Sequence, residues 1–163
     1  MKTTTMKQLL ILATALLALM LASCGRNVYY DQSRNVDEHG WLPGDTISFD
    51  VQIDDTSRMY NCLIEIRNNI SYPYSNTFLF IGTTFPDGSV AYDTMECTLA
   101  DAEGRWLGKH TGRYVDTRFR LRRGTFRFPM EGTYHFAITN GMRDSAISGL
   151  HDIGLRLEYA KTK

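Results

Sequence analysis

The residue whose chemistry is easiest to read from this sequence is Cys24, which closes the run Leu21-Ala22-Ser23-Cys24. Before that run come a short basic start and an apolar stretch over residues 9–21. This order is typical of a secretory leader that is cut just before a cysteine. The freed cysteine would carry acyl chains such as palmitate, which hold a protein on a membrane. We therefore predict that residues 1–23 are a lipoprotein signal peptide and that Cys24 is the lipidation site.

Two other interpretations of this leader are open. The first is a transmembrane helix, but the apolar stretch has 13 residues, whereas a helix needs about 20 to span a bilayer. The second is an ordinary secretory leader that a cysteine follows by chance.

After removal of the leader, 140 residues remain, with 16 basic and 18 acidic side chains. This balance, slightly negative, predicts no nucleic-acid partner.

Catalytic and metal-binding patterns are nearly absent from the sequence. The four histidines are scattered, and no His-x-x-x-His, Cys-x-x-Cys, Gly-x-Ser-x-Gly or P-loop pattern occurs. Such spacings are what zinc sites, serine hydrolases and nucleotide-binding enzymes need. Asp54-Asp55 could contribute ligands to a calcium site, but a solvated turn is the simpler interpretation. We predict no enzyme activity, no metal site and no cofactor.

Aromatic residues outside the alternating strand pattern form the first group of candidate binding residues: Trp41, Tyr72, Tyr74, Trp106 and Tyr114. Their flat apolar faces suit a protein partner or a sugar ring. The competing interpretation is that they cover the open ends of a β-fold as part of its core.

Arginines form the second candidate group, at positions Arg113, Arg118, Arg120, Arg122, Arg123 and Arg127. Arg143 is predicted to join them beside the Trp106 loop. Such a strip could dock an acidic partner or anionic lipid head groups. It could equally be a solvated strand face whose charges protect a sheet edge.

The elements that must position these residues follow a period of two, with turn residues about every ten positions, which indicates β-strands. Strands are predicted over residues 46–53, 60–67, 77–85, 90–94, 95–99, 119–128, 133–139 and 153–159. A tight turn is expected at Pro86-Asp87-Gly88, and a helical turn is allowed at 142–147. We predict an all-β, single-domain antiparallel β-sandwich of the jelly-roll or immunoglobulin-like type, with a closed barrel as the alternative.

The domain organisation follows from these predictions. Residues 1–23 are assigned to the signal peptide, 24–35 to a lipidated tether and 36–163 to the β-sandwich domain. Cys62 and Cys97 both fall at apolar positions of predicted strands. They are either two buried thiols or a disulfide, which an exported compartment permits.

Taken in order, a series of short motifs gives the sequence a resemblance to a known family. They are the cysteine-closed leader, Gly40-Trp41 with Gly44-Asp45-Thr46, Tyr72-Pro73-Tyr74-Ser75-Asn76, Thr84-Phe85-Pro86-Asp87-Gly88, Asp93-Thr94 with Glu96-Cys97, Leu99-Ala100-Asp101, Gly104 with Trp106-Leu107-Gly108, Asp116 with Arg118-Phe119, Phe128-Pro129, Met142-Arg143 and Gly154-Leu155-Arg156. Together they are similar to the GldH family of gliding-motility lipoproteins. One departure is His110, where relatives often have glycine.

The resemblance implies an envelope lipoprotein of the Bacteroidetes that takes part in gliding motility and its associated type IX secretion system. It implies an outer-membrane anchor facing the periplasm, because no acidic cluster follows Cys24. It implies no known chemical activity. We therefore expect a non-catalytic protein that binds protein partners of the gliding or secretion apparatus, with an envelope carbohydrate-binding module as the alternative.

Overall fold

A computed structural model describes residues 27–160 of the chain. Over those residues it contains nine strands and no helix. The strands are β1 Val28–Asn35, β2 Thr46–Ile53, β3 Tyr60–Asn69, β4 Asn76–Thr84, β5 Val90–Thr98, β6 Lys109–Thr111, β7 Tyr114–Arg120, β8 Gly132–Asn140 and β9 Leu150–Tyr159. No part of 27–160 forms a helix long and apolar enough to cross a bilayer. The predicted all-β class is confirmed.

The strands form two antiparallel sheets. The first has five strands in the order β1-β9-β3-β7-β6, and the second has four in the order β2-β8-β4-β5. The inner faces of the two sheets enclose one core, which is the predicted sandwich arrangement. The outer faces and the outermost strands remain open to solvent, so they are the surfaces on which a partner could bind.

The alternating sequence pattern correctly predicts which strand residues face the core. In β2, Phe49, Val51 and Ile53 are buried while the residues between them are exposed. Strand β4 is nearly continuous in apolar residues and lies between β8 and β5, as is typical of a central strand. Each fully buried aliphatic side chain adds about 1.5–3 kcal/mol of favourable transfer free energy. The repeated pattern therefore fixes the register of the sheets, because a slip by one residue would expose a whole strand face.

The predicted tether is shorter than the sequence suggested. Residues 28–35 form β1, which pairs along its length with β9 at the edge of the five-stranded sheet. Tyr29 and Tyr30, at its start, pack against the core. The segment is extended, as expected, but its backbone hydrogen bonds go to a neighbouring strand rather than to water.

The strand predicted over residues 119–128 is also corrected. Strand β7 ends at Arg120, and the chain loops out through Gly124, which has a φ of 77°. It returns at Phe126, whose backbone exchanges hydrogen bonds of 2.8 and 3.0 Å with Tyr60. Arg122 therefore lies in a loop, not on one strand face with Arg118 and Arg120.

The turns and the remaining segments differ less from expectation. The Pro86 turn closes with a 2.8 Å hydrogen bond from Phe85 N to Ser89 O, and Gly88 has a φ of 83°. The sequence left open whether residues 95–99 continue the strand 90–94 or start a new one; they continue it, and β5 runs as far as Thr98. The loop 142–147 forms no helical turn. The three-residue strand β6 was not predicted.

The two ends of the sandwich are formed by different sets of loops. The proximal pole contains Asn27, the loops 54–59, 85–89 and 121–131, and Ala160. The distal pole is the opposite end, formed by the loops 36–45, 70–75, 99–108 and 141–149.

Candidate functional site

The structure divides the predicted binding residues among three places. Trp41, Tyr72, Tyr74, Trp106 and Arg143 lie in loops of the distal pole. Arg118 and Arg120 lie on β7, on the outer face of the five-stranded sheet. Arg122 lies in the 121–131 loop of the proximal pole. These residues therefore lie on three separate surfaces.

Two of the distal aromatics are core residues. Trp41 is 2% exposed, and its indole N–H donates a 2.9 Å hydrogen bond to the backbone oxygen of Asp45. Tyr72 is also buried, and its hydroxyl donates to Asn76 O at 3.1 Å. A buried indole or phenol needs such a partner for its polar atom. Neither ring has a face free for a ligand, so both cover the end of the sandwich.

The other distal residues are more accessible. Tyr74 is half-buried; its ring packs edge-on against Tyr72 with centroids 5.6 Å apart, and its hydroxyl donates to the Asp144 carboxylate. That hydrogen bond raises the pKa of the Tyr74 phenol. Trp106 is half-buried against the core, and Arg143 is exposed. The distal pole therefore offers separate side chains rather than a flat aromatic platform.

A charged groove of about 630 Å³ crosses the outer face of the five-stranded sheet. Gly154 lies in its floor, in one row across the sheet with Glu65 and Arg118, and Arg67 and Asp116 lie in the next row on the same face. The loop Leu107-Gly108-Lys109 forms a wall. The groove brings predicted Arg118 beside the Trp106 loop.

The charges that line the charged groove neutralise one another. Arg67 makes a two-pronged contact with Asp116, Nε to Oδ1 at 2.6 Å and Nη2 to Oδ2 at 3.2 Å, and its Nη1 lies 3.4 Å from Asp152 Oδ2. Hydrogen bonding from Arg67 lowers the pKa of the Asp116 carboxyl. The pair therefore stabilises the fold above the ordinary aspartate pKa and is lost as the pH falls through the lowered value. Because both side chains are partly exposed, the contribution is below about 1 kcal/mol.

Arg118 is paired in the same way. Its Nε lies 2.7 Å from Glu65 Oε1, an ion pair across strands β7 and β3. Glu65 Oε1 is buried and accepts no well-aligned hydrogen bond, so this ion pair is what compensates its charge. Arg120 donates at 2.6 Å to Asn61 Oδ1. Both arginines are thus held on the outer face of the sheet by neighbouring side chains.

An aromatic patch occupies the outer face of the four-stranded sheet, and the sequence did not point to it. We define it by three exposed side chains, Phe80 at 48%, Val90 at 47% and Tyr92 at 83%. The Tyr92 ring lies over Gly82, where an added Cβ would be 3.5 Å from Tyr92 Cε1. Large exposed aromatic side chains that cluster are typical of protein contacts.

The aromatic patch also adjoins an open sheet edge. Strand β5, which carries Val90 and Tyr92, is the last strand of its sheet and is nine residues long. An edge strand presents unpaired backbone groups that can bind an extended segment of a partner. Asp93 and Glu96 on β5 disfavour pairing with another copy of the same edge, because like charges would then face each other.

No catalytic arrangement emerges among residues 27–160. They contain no group of three or more His, Cys, Asp or Glu side chains placed to hold a metal ion. Cys62 and Cys97 are free, buried and in different sheets, and burial raises the pKa of each thiol to about 12. Such thiols are protonated at neutral pH and are poor nucleophiles. His135 is exposed, with Nδ1 2.7 Å from Asp50 Oδ1.

Comparison with known proteins assigns the chain to a family. The model of the GldH lipoprotein family matches residues 28–157. The chain belongs to the GldH lipoprotein family.

Relatives in the GldH family match most of the chain. The gliding motility lipoprotein GldH homolog of Christiangramia forsetii is 29% identical over 147 residues, which cover 86% of this chain and 89% of the relative. Gliding motility lipoprotein GldH of Flavobacterium johnsoniae is 26% identical over 150 residues, covering 88% and 92%. Among solved structures, the infectious bursal disease virus VP2 subviral particle covers 82% of this chain and 33% of its own at 12% identity, and its TM-score of 0.34 is too low to support an argument.

The His110 position, an apparent departure from the GldH family, is not strained. His110 lies in β6 opposite Val115, and no non-glycine residue of 27–160 has a positive φ. At the nearby Gly108, by contrast, there is no room for a side chain. A Cβ there would lie 2.3 Å from Thr117 Oγ1 and 2.5 Å from the Asp116 carbonyl oxygen. Glycine is therefore what lets the wall of the charged groove pack against β7.

Proposed function

We propose that this chain is a non-catalytic lipoprotein of the gliding-motility machinery, linked to type IX secretion, that works by binding a protein partner. Its relatives are named gliding motility lipoproteins. The Cys24 leader supports anchoring to a membrane, which we place at the outer membrane with the domain facing the periplasm. In this arrangement the anchor keeps the sandwich near its partners, and the surface chemistry of the sandwich selects them.

The aromatic patch is the observation that carries this proposal. Tyr92 and Phe80 expose apolar rings on a sheet that ends in an open strand. Burying such rings against a partner would gain roughly 25 cal/mol for each Å² of apolar surface removed from water. Tyrosine in particular is enriched among the few residues that dominate protein interfaces. A protein partner is therefore the ligand that best suits this face.

The carbohydrate-binding alternative has less support. It needs at least two of the predicted aromatic rings to lie coplanar on one exposed surface. Trp41 and Tyr72 are buried instead, and the half-buried Tyr74 stands at 72° to Tyr72. The charged groove could hold polar hydroxyl groups, but most of its charges are already paired with one another. We therefore favour the protein partner.

The test is recovery of partners from membranes with a patch variant, Phe80→Ser with Tyr92→Ser. If each ring contributes about 2 kcal/mol, losing one of them lowers affinity by about 30-fold, and losing both lowers it further. We expect the proteins recovered with the wild-type chain in mild detergent, quantified by mass spectrometry, to be lost from the variant.

The matched control is Leu42→Ser with Ile70→Ser, which removes two apolar side chains, each 50% exposed, from loops of the distal pole. These changes are expected to leave the recovered proteins unchanged. Equal recovery by wild type and patch variant, or equal losses in both variants, would exclude the aromatic patch as the binding surface.

A further inference from the structure

An apolar cavity of about 310 Å³ opens at the proximal pole, between the two sheets. Its wall is dominated by aromatic rings, among them Phe85, Phe126, Phe128 and Tyr134. Several of these rings pack edge-on; the Phe128 and Tyr134 centroids, for example, are 4.7 Å apart. Such a rigid apolar cavity suits a flexible hydrocarbon chain better than a polar ligand.

Arginines line the mouth of this cavity. Arg122 and Arg127 contribute to its wall, and both are exposed, so their charged groups reach solvent while their stems cover apolar surface. The Arg122 guanidinium lies 5.6 Å from the centre of the Phe126 ring. Arg123, next in the same loop, is also exposed. An apolar cavity with cationic groups at its mouth matches a molecule that has a hydrocarbon tail and an anionic head.

These arginines differ from many others in the protein. Within residues 27–160, no carboxylate lies within ion-pair distance of Arg122, Arg123 or Arg127. By contrast, five other arginines have such partners: Arg58, Arg67, Arg105, Arg118 and Arg156. Glu131 and Asp87 belong to the same pole but do not pair with the three. Their charges are thus available to an external anion.

The start of the described chain lies at the same pole. Asn27 O accepts a 2.7 Å hydrogen bond from Tyr159 N, Tyr159 pairs with Tyr60, and Tyr60 pairs with Phe126. These four residues form one row across the sheet. With strands about 4.8 Å apart, Asn27 lies roughly 14 Å from Phe126 at the cavity.

The short link between Cys24 and Asn27 would place the membrane surface close to this cavity. Cys24 precedes Asn27 by three residues, which span at most about 11 Å when fully extended. A lipid anchor on Cys24 would therefore hold the proximal pole, and not the distal one, against the head groups. The aromatic patch and the charged groove would then flank the sandwich above the membrane.

We propose that the proximal pole binds one anionic phospholipid of the anchoring membrane, with Arg122 and Arg127 on the phosphate and an acyl chain in the aromatic cavity. This inference rests on the proposed anchoring through Cys24. Its consequence is a fixed orientation of the domain on the membrane. A three-residue link alone would allow the domain to tilt, whereas a second contact would hold the aromatic patch toward a partner.

The test uses the full-length lipidated protein in mild detergent, incubated with phosphatidylglycerol or phosphatidylcholine of identical acyl chains. Native mass spectrometry then counts the phospholipids retained by each chain. We expect one phosphatidylglycerol for each wild-type chain and at least about tenfold less phosphatidylcholine, because the choline ammonium neutralises the phosphate of phosphatidylcholine, whereas phosphatidylglycerol keeps a net negative charge for the arginines. Glycerol phosphate, which has no acyl chains, is expected not to compete.

Two double variants with the same change in net charge test whether lipid binding is specific to the cavity. Arg122→Glu with Arg127→Glu is expected to lower retention of phosphatidylglycerol by at least about tenfold. Arg113→Glu with Arg143→Glu changes two exposed arginines outside the cavity and is expected to retain it. Circular dichroism confirms that each variant is folded. Equal retention of both lipids, or retention that does not depend on Arg122 and Arg127, would overturn the proposal.

Other outcomes are also informative. If the acyl chains of Cys24 itself fill the cavity, phosphatidylglycerol will bind only after Cys24→Ser, and the proposal of a separate lipid is wrong. Competition by glycerol phosphate would show a simple anion site and overturn the acyl-chain assignment. The intact mass of the same sample reports lipidation of Cys24 independently. Failure of anchoring is thereby distinguished from failure of lipid binding at the pole.

Discussion

Replacing Trp41 with alanine is expected to lower the free energy of unfolding by about 3–5 kcal/mol. The indole is 2% exposed, and Trp41 pairs through its backbone with Ile147, which joins two loops of the distal pole. The substitution leaves a cavity and removes the hydrogen bond from the indole N–H to Asp45 O. The loss is a large part of the roughly 5–15 kcal/mol by which domains are stable. Urea unfolding of the purified protein measures it.

Trp106→Ala is the matched control for this measurement. Trp106 is the other tryptophan of the chain, and it is only half-buried. Its replacement is expected to cost less than half as much, because less apolar surface leaves water on folding. If the two variants were equally stable, or if Trp41→Ala left the unfolding midpoint unchanged, Trp41 would not be the core residue that the structure describes.

Replacing Cys24 with serine is expected to remove the protein from the outer membrane, where our proposal places it. Cys24 lies outside the described residues, so this expectation comes from the leader sequence alone. Serine offers no sulfur for acylation, and each buried methylene of a lost chain forfeits about 0.8 kcal/mol of membrane affinity. Intact mass spectrometry of the wild-type protein should show a chain that begins at residue 24 with added acyl chains. The variant should lack that mass and leave the outer-membrane fraction.

The control substitutions are Cys62→Ser and Cys97→Ala, made separately. Both thiols are buried and protonated, so neither is available for lipid attachment. Each variant should keep the acyl mass and the membrane location of the wild type. An unmodified wild-type chain found in the culture medium would contradict the lipoprotein interpretation. Inner-membrane retention through an uncleaved leader is a different outcome, recognised by the presence of residues 1–23.

Sequence periodicity predicted most of this fold because the strands are half-buried. β2 alternates cleanly between buried and exposed side chains, and the predicted bounds agree with the observed Thr46–Ile53. Pattern reasoning was wrong where pairing rather than burial makes a strand. β1 ends in exposed polar residues and is a strand because β9 supplies its hydrogen bonds. The segment 119–128 alternates in sequence, but it is not one strand. The chain loops out at Gly124 before Phe126 pairs with Tyr60.

The candidate surfaces were harder to predict, since they depend on which strands become neighbours. Trp41 and Tyr72 stood out because they lie in loops, but loops at the end of a sandwich also close its core. Phe80 lies in a nearly continuous apolar run, which is typical of a central strand, so nothing in the sequence indicated that it is exposed. Only the sheet order shows that its outer face is bare and that Tyr92 lies over neighbouring Gly82.

The central claim, that the aromatic patch binds a protein, is tested most directly by photo-crosslinking in the intact envelope. A benzophenone amino acid replaces Tyr92 in one variant. In a second variant it replaces Gln52, which is exposed on β2 at the opposite edge of the same sheet. We predict that irradiation joins the Tyr92 position to a second protein and leaves the Gln52 position unlinked. No protein adduct at position 92, or equal adducts at both positions, would contradict the account.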